Sequence, residues 1–185
     1  GIRDWSVTGV QTCALPIWSN CLAAMAIANS LGVSRDAIVA AMQDFSGIPH
    51  RSQWVAEIDG VEWINDSKAT NVGAARASIE GRSRPVVLIA GGQSKGADMS
   101  VMTDTIRDKV KLVLLFGEDA ERLQQAWQGA SRIERVRDMR EAVQTAYESA
   151  VAGDCVLLAP ACASFDLFEN YEDRGAQFKE AVRNL

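Results

Sequence analysis

Three stretches of the chain are apolar from end to end: Val86-Val87-Leu88-Ile89-Ala90, Val110 to Phe116, and Cys155 to Ala159. A strand that is hydrophobic on both faces must be covered on both, and helices inserted between such strands supply the cover. The intervening segments have that character. Helical spacing predicts a helix from about Met99 to Lys109 and another from Asp119 to Gln128. A third runs from Met139 to Val151, with Ala142, Val143, Ala146 and Ala150 on one face. Phe178 and Val182 mark the inner face of a terminal helix, and Ile133 to Val136 is a weaker strand. The class is therefore α/β, with a mostly parallel sheet and helices on both faces. An antiparallel pair precedes it: Gln53 to Ile58 and Val61 to Asn65, joined by Asp59-Gly60, a type I′ hairpin signal.

Upstream the pattern changes. An alanine-rich helix is predicted from Asn20 to Leu31, ended by Gly32. Ser34 caps a second helix, whose apolar face is Ile38, Val39, Met42 and Phe45. Two short helices cannot enclose a core, so they read as the closing piece of another domain. Ser46-Gly47-Ile48-Pro49 interrupts the pattern, and residues 48–52 read as a linker. Residues 1–17 sustain neither helical nor strand period and read as a segment not native to the rest of the chain.

The totals exclude several classes. With 185 residues, 48% hydrophobic and 23% charged, the chain can build an ordinary globular core. A net charge of −5 argues against a nucleic-acid or anionic membrane surface. No apolar run reaches the roughly 18 residues of a membrane helix. The cysteines, Cys13, Cys21, Cys155 and Cys162, form no CxxC and no Cys/His cluster. A metal site is not expected, and reduced thiols fit a cytoplasmic location. A monomer is expected.

Ligands of such sheets bind beyond the carboxyl ends of the strands. Three polar loops fall there. The first, Asn65-Asp66-Ser67-Lys68-Ala69-Thr70-Asn71, puts a carboxylate, an ammonium, two hydroxyls and two amides in seven residues at a helix start. Asn71 suits the N-cap, which leaves Asp66, Lys68 and Thr70 for chemistry. The second, residues 91–98, combines Gly91, Gly92 and Gly96 with Lys95, and suits a carboxylate as well as a phosphate. It is neither GxGxxG nor GxxxxGK[ST]. The third, residues 160–166, is read as holding Ser164 at a helix start, where hydroxyl and N–H groups bind an oxyanion. A nucleophilic serine is disfavoured because no GxSxG surrounds it, and Cys162 reads as an inert buried thiol. His50 and Arg51, at the linker, read as a structural imidazole and a guanidinium placed to reach phosphate.

In these segments the chain resembles the Mur ligases. The matching residues are His50-Arg51; residues 65–71; Gly91-Gly92 with Lys95-Gly96-Ala97-Asp98; and residues 160–166 running on to Phe168, Asn170, Tyr171, Arg174 and Gly175. The first long motif is similar to that of the branch that adds D-glutamate. The resemblance covers residues 19–185 and implies a three-domain enzyme. Residues 18–47 would be the last helices of a central ATPase domain, here truncated. Residues 53–185 would be the C-terminal, Rossmann-like domain that brings the amino acid.

The implied reaction joins D-glutamate to UDP-N-acetylmuramoyl-L-alanine through an acyl phosphate, using ATP and Mg2+. By the resemblance, Thr70, Lys95, Ser164, Phe165 and Tyr171 hold D-glutamate. His50, Arg51, Asp66 and Lys68 face the nucleotide, with Asp66 toward the ribose and Arg51 toward phosphate, and Lys68 and Lys95 act in catalysis. Tyr171 stands where phenylalanine is frequent and Phe165 where leucine is common. The phosphate loop, magnesium ligands and carbamylated lysine of the family have no counterpart in this sequence, so the chain by itself is expected to be inactive. A reading of another class is a stand-alone module that binds a small anion or nucleotide without turnover. A dehydrogenase-like domain is disfavoured by the missing GxGxxG.

Overall fold

The Asp59-Gly60 turn sets the first strand pairing. Both residues take positive φ, +51° and +77°, as a type I′ turn requires. The turn joins β1 (Gln53–Ile58) to β2 (Val61–Asn65) antiparallel, with Ile58 opposite Val61 and Gln53 opposite Asn65. Tyr147 pins it by donating its hydroxyl to Asp59 Oδ2 over 2.7 Å. The computed structural model describes residues 11–45 and 47–185, in two units that divide between Gly47 and Ile48.

The first unit is a helix pair, α1 (Gln11–Ser30) and α2 (Arg35–Asp44). α1 begins nine residues before the expected Asn20, so the patternless reading of residues 1–17 is corrected for residues 11–17. Once a helix is nucleated, each added residue brings its own hydrogen bond, and extension needs no apolar period. Residues 1–10 lie outside the described residues. Beyond Ser30 the chain leaves α1 through Gly32 (φ +79°), with Val33 N–H on Ala28 O and Gly32 N–H on Asn29 O. That is a complete Schellman motif. Ser34 Oγ accepts from Ala37 N–H over 3.3 Å and caps α2 as expected. No residue is buried in α2 or in residues 20–30 of α1.

The second unit continues with α3 (Val72–Glu80), β3 (Val86–Gly91), a 3-10 turn (Met99–Met102), α4 (Thr103–Lys109), β4 (Val110–Phe116), α5 (Ala120–Trp127), β5 (Arg132–Arg135), α6 (Met139–Ser149), β6 (Cys155–Leu158) and α7 (Tyr171–Arg183). The single helix expected over residues 99–109 opens as the 3-10 turn, because Asp98 Oδ1 accepts from both Ser100 N–H and Ser100 Oγ and tightens it. The sheet order is β1-β2-β6-β3-β4-β5, and every pairing except β1 with β2 is parallel.

Strand parity sorts the core into two layers. Leu88, Ala90, Val113, Leu115 and Leu157 pack with Ile79 of α3, Ile106 of α4, and Leu123 and Trp127 of α5. Val87, Ile89, Leu112, Leu114 and Leu158 pack with Val143 of α6 and Phe178 and Val182 of α7. The helices after β2 and β3 therefore cover one face, and the helix after β6 covers the other. Since β6 lies between β2 and β3, the chain leaves neighbouring strands toward opposite faces there. Such a switch point opens a crevice at the carboxyl rim.

Candidate functional site

Backbone hydrogen bonds stitch the three rim loops together. Asp66 N–H donates to Leu158 O over 2.9 Å, and Ala161 N–H to Ala69 O over 3.0 Å. Gly91 N–H donates to Pro160 O over 3.0 Å, and Gln93 and Ala163 exchange a pair of bonds of 3.0 and 2.9 Å. The loop after β6 is thus zipped to its neighbour on each side. Gly92 makes the second zip possible: its φ is +123°, and a Cβ there would lie 2.1 Å from Ala163 O. The loop after β3 is also held by α5. Ser94 N–H donates to Asp119 Oδ2 over 2.6 Å, and Arg122 donates to Ser94 Oγ and Ala97 O.

Arg174, in α7, ties the assembly from beneath. Its guanidinium is fully buried and donates to Ser67 Oγ (3.0 Å), Ser67 O (2.9 Å) and Cys162 O (3.1 Å). Ser67 Oγ in turn donates to Tyr171 O over 2.8 Å. No described carboxylate pairs with this cation, and burial lowers its pKa to about 10.

The residues expected to face a nucleotide gather around the start of α7 and the turn before β1. His50 is buried, with φ +63°, and its carbonyl accepts from Lys68 N–H over 3.0 Å. Burial first, then the Lys179 ammonium, holds its imidazole below the ordinary range, while Glu172 acts in the opposite sense. Lys68 Nζ lies 3.7 Å from the centre of the Tyr171 ring, a cation–π contact. The same ring meets His50 edge-on with centroids 6.3 Å apart. Arg51 is exposed. Asp66 is almost buried and accepts from Ser52 N–H over 3.1 Å, with Ser52 Oγ 3.5 Å from its other oxygen. That carboxylate braces the turn carrying His50 and Arg51.

The residues expected to hold an amino acid lie on the same rim. Thr70 is half-buried in the tight turn closed by its own N–H on Lys68 O. Lys95 is exposed at φ +52°, and its Nζ lies 5.6 Å from the centre of the exposed Phe165 ring. Ser164 is buried, but it does not start a helix. It opens a single turn in which Phe168 N–H donates to Ser164 O over 2.9 Å, and α7 begins only at Tyr171, where Asn170 is the N-cap. Asn170 side-chain oxygen accepts from Asp173 N–H, which outcompetes the earlier position as a cap. Asn71 caps α3 as expected, accepting from Ala74 N–H over 2.9 Å. Cys162 is fully buried, and burial pushes its thiol up to about 12, so it is no nucleophile near neutrality.

Four contributors carry no assignment from the sequence: Asn65, Arg174, Asp119 and Arg122. Arg174 had a signal, because it shares one helix face with Phe178 and Val182 at intervals of four and is therefore directed inward. The partners of Asp119 and Arg122 lie about 25 residues away in sequence, and no local pattern points to them. Among the described residues no three of His, Cys, Asp or Glu converge as a metal cage.

The stitched loops carry Lys68 and Lys95 at the carboxyl rim of a mostly parallel sheet, next to its switch point. Residues 50–162 match the glutamate ligase domain of the Mur ligases, and the chain belongs to that family. A protein of Hahella chejuensis named UDP-N-acetylmuramoylalanine–D-glutamate ligase is 48% identical over 172 residues, 91% of this chain and 39% of that protein. The chain spans about two fifths of the length of the curated relatives it matches. A pseudomurein peptide ligase type C from Methanothermus fervidus has the same fold, with a TM-score of 0.62 at 17% identity over 89% of this chain and 35% of that one. So does a bifunctional folylpolyglutamate synthase/dihydrofolate synthase from Yersinia pestis solved with AMPPNP and Mn ion, with a TM-score of 0.58 at 21% identity over 82% of this chain and 35% of that one.

Proposed function

We propose that this chain is the amino-acid-binding part of an ATP-dependent ligase that joins D-glutamate to UDP-N-acetylmuramoyl-L-alanine in the cytoplasm. The observation that carries the reading is the union of three rim loops by backbone hydrogen bonds, which brings the turns bearing Lys68, Thr70, Lys95 and Ser164 onto one rim. Identity of 48% to a relative named for that reaction supports the choice of substrates. The chemistry is the transfer of a phosphoryl group from ATP to the muramoyl-alanine carboxylate, giving ADP and an acyl phosphate. The amine of D-glutamate then attacks the carbonyl carbon, a C–N bond forms, the C–O bond to phosphate breaks, and the ammonium proton passes to solvent.

In this reading the chain positions groups and stabilises charge, and supplies no nucleophile. Lys95 and Thr70 hold the D-glutamate carboxylates, with Ser164, Phe165 and Tyr171 bounding the pocket. Arg51 and Lys68 meet nucleotide oxygens beside His50 and Asp66. Lys68, kept against the Tyr171 ring, places its charge between the two substrates. The chain alone holds only part of the nucleotide site and is expected to turn nothing over.

The test is stereochemical. The full-length enzyme containing this chain should couple D-glutamate to UDP-N-acetylmuramoyl-L-alanine with one phosphate released per product, and should give no product with L-glutamate. Comparable turnover of the two enantiomers would reject the reading.

A further inference from the structure

Asn65 ends β2 fully buried, and partners of fixed polarity dictate the orientation of its amide. The N–H of Ser67 lies 3.1 Å from its Oδ1, and a backbone N–H only donates. The carbonyl of Gly175 lies 3.0 Å from its Nδ2, and a carbonyl only accepts. Interchanging the amide oxygen and nitrogen would set N–H against N–H and oxygen against oxygen. The same Nδ2 is 3.1 Å from His50 Nδ1. An amide NH2 has no lone pair to offer, so Nδ1 accepts and the ring proton resides on Nε2. Gly175 makes the approach possible: a Cβ there would lie 2.1 Å from His50 Nδ1 and 3.0 Å from Asn65 Nδ2.

We infer that Asn65 is a positioning residue that fixes His50 as a neutral imidazole protonated on Nε2. The ring then offers an N–H donor, not a cation, to an oxygen acceptor such as a nucleotide ribose or phosphate supplies. Only that last step rests on the proposed function; the tautomer stands on the hydrogen bonds themselves. Protonation at Nδ1 would turn an N–H toward the Asn65 NH2 and break the contact. The surrounding charges are Lys179 and Glu172 from α7, with Lys68 and Asp66 on the loop after β2. Burial and Lys179 oppose protonation, and Glu172 favours it.

His50 is the single histidine of the chain, so its ring nitrogens can be read without ambiguity after 15N-histidine labelling. At pH 7 the expected spectrum shows a protonated, pyrrole-type Nε2 and a pyridine-type Nδ1. Asn65→Asp replaces the donor with a carboxylate. It should bring a proton onto Nδ1 and raise the titration midpoint by about one pH unit or more. A wild-type spectrum showing Nδ1–H, or the two tautomers in rapid exchange, would overturn the inference without any variant. So would an Asn65→Asp spectrum identical to the wild type. The measurement involves no nucleotide, so a failure of the tautomer and a failure of the proposed function are separable.

Discussion

Gly92→Ala is expected to destabilise the second unit by about 3–5 kcal/mol and to part the loops after β3 and β6. The backbone at Gly92 has φ +123°, outside the regions open to residues with a Cβ, which costs on the order of 1–3 kcal/mol. The new methyl would also meet Ala163 O at 2.1 Å and Cys162 Cβ at 3.2 Å. Ala163 O is the acceptor for Gln93 N–H, so relief of the clash removes the paired bonds that zip the two loops. Those bonds contribute about 1 kcal/mol each. Gly96→Ala is the control: φ is +77°, but nothing lies within 4 Å of its Cβ position. It should cost only about 1 kcal/mol. Urea denaturation of both variants checks the pair, and equal losses would contradict the account.

Arg174→Ala is expected to cost about 3 kcal/mol and to loosen the loops after β2 and β6 together. Three acceptors, Ser67 Oγ, Ser67 O and Cys162 O, lose their donor, at roughly 1 kcal/mol each. The cavity adds about 2 kcal/mol if it stays unfilled. Against this, an unpaired buried guanidinium carries its own desolvation cost, which the substitution removes. The losses win because the donor fork satisfies three groups on two different loops, and no neighbour replaces it. At about 2–4 °C per kcal/mol for a chain of this size, the thermal midpoint should fall by about 6–12 °C. Arg174→Lys should recover only part, since an ammonium lacks the planar fork. A midpoint unchanged in Arg174→Ala would show that the rim holds together without it.

The sheet was legible because its signals are local. The runs at residues 86–90, 110–116 and 155–159 are apolar on both faces, and parallel strands buried between helices are the consequence. Asp59-Gly60 specified its turn, since few residue pairs tolerate two positive φ values in succession. The rim position of the loops at 65–71, 91–98 and 160–166 followed from strand polarity alone. What escaped was set by contacts distant in sequence. Asn65 meets Gly175 and Arg174 meets Ser67 across more than 100 residues. Ser164 and Asn170 both suit a cap, and only the chain path into α7 selects Asn170. The early start of α1 escaped for another reason, because helix extension past an apolar stripe leaves no periodic trace.

The central claim is that the three loops form one pocket for a small dicarboxylate beside the nucleotide. Lys95→Ala in the full-length enzyme tests it most directly. Loss of a charge-assisted hydrogen bond corresponds to about 1.5–3 kcal/mol, or roughly 10- to 100-fold. The KM for D-glutamate should rise by about that factor, while the KM for ATP stays within about twofold. An unchanged KM for D-glutamate would contradict the account.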